Sequence, residues 1–529
     1  MLLLFNTLRH LRFRQIFYRI YYRCRPLKIR PIQAPPVRLW PESWNAPRWK
    51  PACLSTNTFH CLNRTQSIES PQIWNDPKQP KLWLYHLHYF DDLNAVNPIN
   101  LDNWVQRWIN ENPCGCGWEP YPLSLRIVNW VQWLKGAGKD NTLILNSLAT
   151  QAEALSTRLE FHLLGNHLWA NAKALVFAGA FFEGLGERWL QRGLALLDRE
   201  LAQFLPDGGH FERSPMYHAI LTWDLCDCIH LAQVSQLPDL LDRVPVWEKT
   251  LERAYLWLRG MTHPDGDISF FNDATLGVAP TLASIKTYIQ KLCPDFSWPS
   301  SSDELQIFPD SGYIRVAFPH GVALIDVGPL GPDFLPGHGH ADTLSFELSL
   351  YGQRVFVNSG ISTYETNADR LSQRGTAAHN TLTINNKDSS EVWSSFRVAR
   401  RARPQFQTQK TQVVIEASHD GYRRLATKNT HRRSWQFSDQ TIEITDSIDG
   451  PFETATAYFY LHPAISAKNT DTHVTLSLPN GPTLAFMIDG GTLTLLPNKW
   501  HCGFYKSVPN TCLVISLKNP NLRTTLSWK

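Results

Sequence analysis

The chain reads as α+β and multidomain, with an N-terminal all-α array or (α/α) helical toroid followed by a C-terminal antiparallel β-sandwich. Three observations predict this. Apolar positions recur at helical spacing from about residue 90 to 290, and beyond residue 310 they alternate instead; between the two lies the Pro/Ser-rich stretch "PDFSWPSSSDELQIFPD" (294–310). A length of 529 residues also exceeds what one core ordinarily serves. The expected division is a basic lead-in over 1–80, the toroid over 81–295 and the sandwich over 308–529.

The first thirty residues, "MLLLFNTLRHLRFRQIFYRIYYRCRPLKIR", carry eight Arg/Lys and no acid. Their apolar run precedes the charges and no small-residue cleavage site follows, which is not the order of a secretory signal. The expected location is therefore the cytoplasm or the cytoplasmic face of the membrane, with the cell envelope as the alternative. Phe13, Ile16, Phe17, Ile20 and Tyr21 keep i, i+3, i+4 spacing with arginines between them. That pattern suits either a helix lying on an anionic membrane surface or one docked on the protein's own body. No stretch approaches the length of a transmembrane span.

The helical half includes "LILNSLATQAEALSTRLEFHLL", "LWANAKALVFAGAFFEGL" and "WEKTLERAYLWLRGM", separated by "LLGNH", "LPDGGHFERSP" and "THPDGD". Helices joined by short polar turns are antiparallel neighbours, so the turns of one face converge. In the second half "YIRVAF", "VALIDVG", "TLSFELSLYGQRVFVN", "NTLTIN", "QVVIEA", "SWQFSDQTIEITDSI" and "TLAFMIDGGTLTLLP" are strands bounded by turn residues. There is no short internal repeat.

Composition narrows the function. An apolar content of 43%, with 19% charged residues and a net charge of +4, describes a globular chain without the basic excess of a nucleic-acid binder. Twenty Trp and sixteen Tyr favour stacking on sugar faces, although cores also consume aromatics. The ten Cys form no C-x-x-C, so neither a zinc ribbon nor a thioredoxin-type site is written here.

Two helix starts could carry chemistry. Asn166 sits where a helix begins in "GNHLWANAKAL", and in "FERSPMYHAILTW" Ser214 and Pro215 read as N-cap and first helical residue, with Tyr217 in the first turn. Free backbone N–H groups and the positive dipole end favour a carboxylate at such a place. The plainer readings are a cap for Asn166 and a packing residue for Tyr217. His338 and His340 in "GHGH", with His379 in "RGTAAHNTLTI", bring three imidazoles toward one sheet edge, and two of them with a third ligand could hold zinc. Asp265, Asp267 and Asp273 in "PDGDISFFND" could be read as a glycosidase pair, but turn-forming acids are the simpler account.

Taken in order, "WLYHLHYFDDL" (83–93), "GWEPYPLSLRIVNW" (117–130), "GNHLWAN" (165–171), "DGGHFERSPMYH" (207–218), "GHGHADTLSFEL" (337–348) and "HNTLTI" (379–384) resemble the heparinase II/III group of polysaccharide lyases. The resemblance runs from about residue 80 to beyond 400. It implies a toroid and a β-sandwich with the active cleft between them, and cleavage of a uronic-acid-containing polysaccharide by β-elimination. It also implies roles: Asn166 with His167 neutralising the uronate carboxylate, Tyr217 protonating the departing 4-oxygen, and His338 acting as base on the opposite face. A syn elimination would let Tyr217 do both jobs; an anti one needs His338.

The same resemblance matches His340 and His379 to ligands of a structural zinc. Asn358 stands about where the family has a third, aspartate ligand, and a neutral amide is a poor substitute, so no cofactor is required and no tight zinc is expected unless Asp342 serves instead. Trp118, Arg126, Glu212 and Tyr364 are the expected substrate contacts. The expected partner is an acidic polysaccharide rather than nucleic acid, in exopolysaccharide or capsule metabolism. Two rival readings use the same residues: a C5-uronosyl epimerase, which returns the proton without losing the 4-oxygen, and a non-catalytic glycan-binding component of envelope polysaccharide assembly.

Overall fold

A computed structural model describes residues 2–99, 101–138, 141–298, 304–409, 413–470 and 472–528. The middle of the expected linker (299–303) and the first residue of "QVVIEA" lie outside the described residues. Two short helices, α1 (Leu2–Leu8) and α2 (Phe13–Cys24), precede a hairpin of Thr58–Cys61 with Arg64–Ser67. The helical half then runs through α3 (Lys81–Tyr89), α4 (Leu101–Glu111), α5 (Pro120–Ala137), α6 (Thr142–Thr157), α7 (Gly165–Phe181), α8 (Leu185–Glu200), α9 (Pro215–Ser235), α10 (Pro238–Leu241), α11 (Val244–Gly260) and α12 (Leu282–Leu292).

Helices α7 and α9 are buried around nearly their whole circumference, which is why their sequences show little apolar-polar contrast. Helix α7 packs against α5, α6, α8 and α9, so the other helices wrap around these two. The helical spacing read through Leu164 breaks earlier: α6 ends at Thr157 and residues 158–164 form a turn. Leu159, Phe161 and Leu164 in that turn are still buried, so their periodic apolar character reports burial rather than helix.

Among the described residues the second half holds three larger sheets and a two-stranded one, Val392–Trp393 with Arg397–Val398. Leu305–Phe308, Tyr313–Phe318, Gly321–Asp326, Phe346–Leu350 and Gln353–Phe356 form an antiparallel meander in chain order. An eight-stranded sheet includes Thr430–Phe437 and Thr441–Asp449, whose residues alternate between buried and more exposed positions as their sequences do. The third sheet orders Gly491–Gly503, Lys506–Leu517, Ala455–Tyr460 and Leu382–Ile384. One continuous apolar cluster, with Phe346, Phe459, Phe486 and Trp435, fills the space between the sheets.

The two halves are joined by a mixed seam. Trp257 and Met261 at the end of α11 pack with Phe308, Tyr313 and Leu324 of the meander. Beside them the buried His263 is held between Ser349 Oγ and Glu347 Oε2, each at 2.8 Å. Both halves are thereby held in register at the cleft.

Candidate active site

A cleft of about 1410 Å³ opens between the halves, and Asn166, His167, Glu212, Tyr217, His338 and Tyr364 all line it. Turns and helix starts supply the helical-side groups. Ser214 accepts from the Tyr217 backbone N–H at 3.2 Å and so caps α9, as its sequence predicts, setting Tyr217 in the first turn. The Tyr217 ring lies 4.0 Å, centroid to centroid, from the His338 imidazole, and its hydroxyl is 3.0 Å from that of Tyr364. Burial holds both phenols protonated well above the usual tyrosine range.

Asn166 differs from its expected capping position. The turn into α7 is made by Leu164 and Gly165, at φ +68° and +56°, which leaves Asn166 inside the first turn with its side chain free of capping duty. A Cβ on Gly165 would come within 2.5 Å of Glu212 Oε1, so that turn also requires the absence of a side chain. The Asn166 N–H donates to Glu212 at 3.2 Å, and its side chain shares the cleft with Tyr121.

His167 places Nδ1 3.0 Å from Glu160 Oε1, while Glu160 Oε2 accepts from Asn171. Burial opposes the imidazolium, but the Glu160 carboxylate outweighs it and raises the His167 pKa. With Nδ1 committed to Glu160, the Nε2–H is the donor left for the cleft. Burial raises the Glu212 carboxyl, an effect partly offset by His338, whose Nε2 lies 3.7 Å away.

Asp273 organises the opposite wall. Its carboxylate, fully buried, accepts from His338 Nδ1 at 2.8 Å, from His340 Nε2 at 2.8 Å, and from both terminal nitrogens of Arg370. Burial would raise its pKa, yet Arg370 and the two imidazoles hold it well below the carboxylate range. An ionised Asp273 can only accept, which fixes both tautomers. His338 keeps its Nε2 lone pair for the cleft, and His340 keeps its Nδ1 lone pair for the interior. Asp273 is thus neither a turn former nor half of a glycosidase pair; Asp265 instead binds Arg354 at 2.6 Å. Gly339 makes this division of the two histidines sterically feasible, since a Cβ there would come within 2.0 Å of Leu330.

The inner side of this wall could hold a metal. His340, Asp342 and His379 each offer a ligand atom within 4.8 Å of the others, and all three are buried. His340 Nδ1, Asp342 Oδ1 and both His379 ring nitrogens find no hydrogen-bond partner. Two imidazoles and a carboxylate suit zinc, and the Asp273 contact to His340 is the carboxylate–histidine support such ligands use. Burial lowers the His340 pKa to about 4 and raises that of Asp342 to about 6. Asn358 is not part of the group. Its Oδ1 accepts from the Asn380 N–H at 3.2 Å and its Nδ2 faces Ser345 Oγ at 3.4 Å, so Asp342 supplies the anionic donor that Asn358 lacks.

Two expected substrate contacts lie elsewhere. Arg126 is fully buried, bonded to Gln151 Oε1 at 2.8 Å and stacked 3.8 Å over Trp108. Trp118 donates to the Asn112 carbonyl and lines a smaller neighbouring cavity. Arg126 faces the toroid's core because the α5 face that carries it turns inward, and Trp118, just before α5, packs on the same Trp108. The sequence reading gave no role at the site to Arg370, Tyr121 or Glu160 and took Asp273 as a turn residue; Asp273 finds His338 and Arg370 far along the chain, whereas Glu160 lies only seven positions from His167. Elsewhere in the cleft, Lys50 is bound to Asp91 at 2.5 Å and Lys173 to Asp224 and Asp227 at 2.6 Å each. Lys81 pairs with Glu119 at 2.9 Å.

Fold and site together define a toroid–sandwich protein with Tyr217 and His338 side by side in the cleft between its halves. The heparinase II/III N-terminus model matches residues 101–297 and the heparinase II/III-like C-terminal model residues 301–529. The chain belongs to the heparinase II/III-like family. It is 26% identical over 331 residues to a heparin-sulfate lyase of Bacteroides stercoris, an alignment covering 58% of this chain and 47% of that protein. To a heparin-sulfate lyase of Bacteroides thetaiotaomicron it is 25% identical over 345 residues, covering 54% and 48%. The matched region therefore spans about half the length of these relatives. Among solved structures, heparinase III superposes with a TM-score of 0.69 at 19% identity, over 88% of this chain and 79% of that one. The heparan sulfate lyase HepC of Pedobacter heparinus gives 0.58 at 17% identity, over 97% and 87%. These superpositions bear out the toroid and sandwich.

Proposed function

We propose that the protein is a polysaccharide lyase that cleaves a uronic-acid-containing polymer by β-elimination. The observation that carries this is the Tyr217–His338 pair, stacked at 4.0 Å in a cleft that also presents Asn166 and a His167 raised in pKa by Glu160. The C5 proton of a uronate becomes removable only when its carboxylate is neutralised and the developing enolate is stabilised. The Asn166 amide and His167 Nε2–H are donors suited to that carboxylate. His338, with Nδ1 bound to Asp273, turns its Nε2 lone pair to the cleft to accept the C5 proton, and the protonated Tyr217 hydroxyl can deliver a proton to the departing 4-oxygen.

The named activity of the Bacteroides relatives supports an acidic glycan as substrate. Lys50, Lys81 and Lys173 are paired with carboxylates, so the cleft cations left to meet an acidic polymer, such as an exopolysaccharide or capsule chain, are the exposed Arg48 and Arg397. Screening purified uronate polymers for a new ultraviolet-absorbing C4–C5 double bond tests the reading. Lyase activity predicts absorbance that grows with time and new reducing ends. C5 inversion without absorbance would replace the proposal by epimerisation, and binding without either change would replace it by glycan capture.

His340, Asp342 and His379 form the proposed zinc site, where the ion would brace the wall that carries His338. About one zinc per chain is expected by elemental analysis. Asp342→Ala and His379→Ala should each lose most of it and melt at lower temperature, whereas Asn358→Ala should retain the metal. Equal zinc content in Asp342→Ala and the parent would show the assignment wrong.

A further inference from the structure

The N-terminal helices are turned the wrong way round for a helix covering a soluble protein. On α2 the residues facing the body are Gln15, Tyr18 and Tyr22, whereas Phe13, Ile16, Phe17 and Ile20 face outward at 80%, 41%, 47% and 61% exposure. Those four follow i, i+3, i+4, i+7 and make one stripe. Leu2, Leu3, Leu4, Phe5 and Leu8 of the preceding helix are exposed as well, so nine of the twenty exposed large apolar residues among the described residues fall within the first twenty positions. Such a cluster is a docking surface rather than ordinary surface scatter.

Charge decides what docks there. The first thirty residues hold no acid, and seven of their eight cations are exposed, Arg9, Arg12, Arg19 and Arg23 among them. Arginines beside an apolar stripe match an anionic lipid surface, where the rings and aliphatic chains enter the acyl boundary and the guanidinium groups meet the headgroups. A second copy would bring the same cations against each other, which disfavours self-association through this face.

The inward face is fixed at the cleft's rims. The guanidinium of Arg12 lies 3.5 Å over the Phe334 ring and Gln15 Nε2 donates to the Phe334 carbonyl at 3.1 Å, four residues before His338. Across the cleft Tyr22 donates to the Leu159 carbonyl at 2.5 Å and Tyr18 packs on Phe161, in the turn that leads to Asn166. Helix α2 therefore bridges the segments carrying the groups of both walls. One face of the helix thus docks on the body and the other stays open.

We infer that α1 and α2 form a docking surface for anionic membranes and hold the cleft beside that membrane. The full chain should co-sediment with vesicles of phosphatidylcholine mixed with phosphatidylglycerol, much less with phosphatidylcholine alone, and binding should weaken with salt. The double variants Phe13→Glu/Ile20→Glu and Arg19→Gln/Arg23→Gln should each lose roughly an order of magnitude in vesicle affinity, with melting temperature unchanged because these side chains are exposed. The parent staying in the supernatant with anionic vesicles would overturn the inference. So would equal sedimentation of the variants, or a dimer in analytical ultracentrifugation that Phe13→Glu/Ile20→Glu dissolves while vesicles go unbound.

Discussion

Tyr217→Phe is expected to lower kcat for elimination by about 10³- to 10⁴-fold while leaving polymer affinity near the parent value. The ring packs between His338 and the buried helix start, and phenylalanine keeps that packing; only the hydroxyl, 3.0 Å from Tyr364, is lost. Removing a proton donor that acts only as the 4-oxygen departs affects the transition state and spares the ground state. Initial rates of enoate formation, paired with binding measured on the same polymer, check this. Near-parent turnover would remove Tyr217 from the chemistry and leave it a packing residue.

His338→Ala and His340→Ala are expected to fail in different ways, although the two residues are only two apart. Both histidines are bonded to Asp273, but His338 lines the cleft with its Nε2 3.7 Å from Glu212, whereas His340 is buried with its Nδ1 turned to the interior. Loss of His338 should suppress elimination by about 10²- to 10⁴-fold on a polymer that requires anti geometry, and much less on one that reacts syn through Tyr217. His338→Ala also removes a bond to Asp273, but water from the cleft can take its place, so its effect on melting temperature should be the smaller of the two. Loss of His340 removes a buried hydrogen bond to an ionised carboxylate, at a cost of about 1–3 kcal/mol, and lowers activity through stability. Melting curves and rates on polymers of both C5 configurations separate the outcomes; indistinguishable behaviour of the two variants would end the division of labour.

Much of this site was legible because its signals are local. The cap at Ser214 and the proline after it place Tyr217 within one turn, and capping is decided by the few residues on either side. The change from helical to alternating spacing likewise follows from side chains that must face one core. Arg126 shows the limit. It lies on a segment of the right character, but which face of α5 meets the cleft depends on how α3, α6 and α7 pack around it, and the packing sends the guanidinium onto Trp108. The zinc reading shows the same limit: position along the chain pointed to Asn358, whereas the folded backbone brings Asp342 to the two imidazoles.

From the sequence alone came the fold class, the two helix starts, and the residue types able to move a proton in Tyr217 and His338. Only the tertiary structure decided what each group is free to do. Asp273 reaches His338 across 65 positions and Arg370 across 97, and the charge of that one buried carboxylate sets the tautomer of both histidines. An isolated imidazole has no preference strong enough to choose between base, ligand and surface residue. Burial and the partner at the other nitrogen make that choice, and neither exists until distant segments pack together.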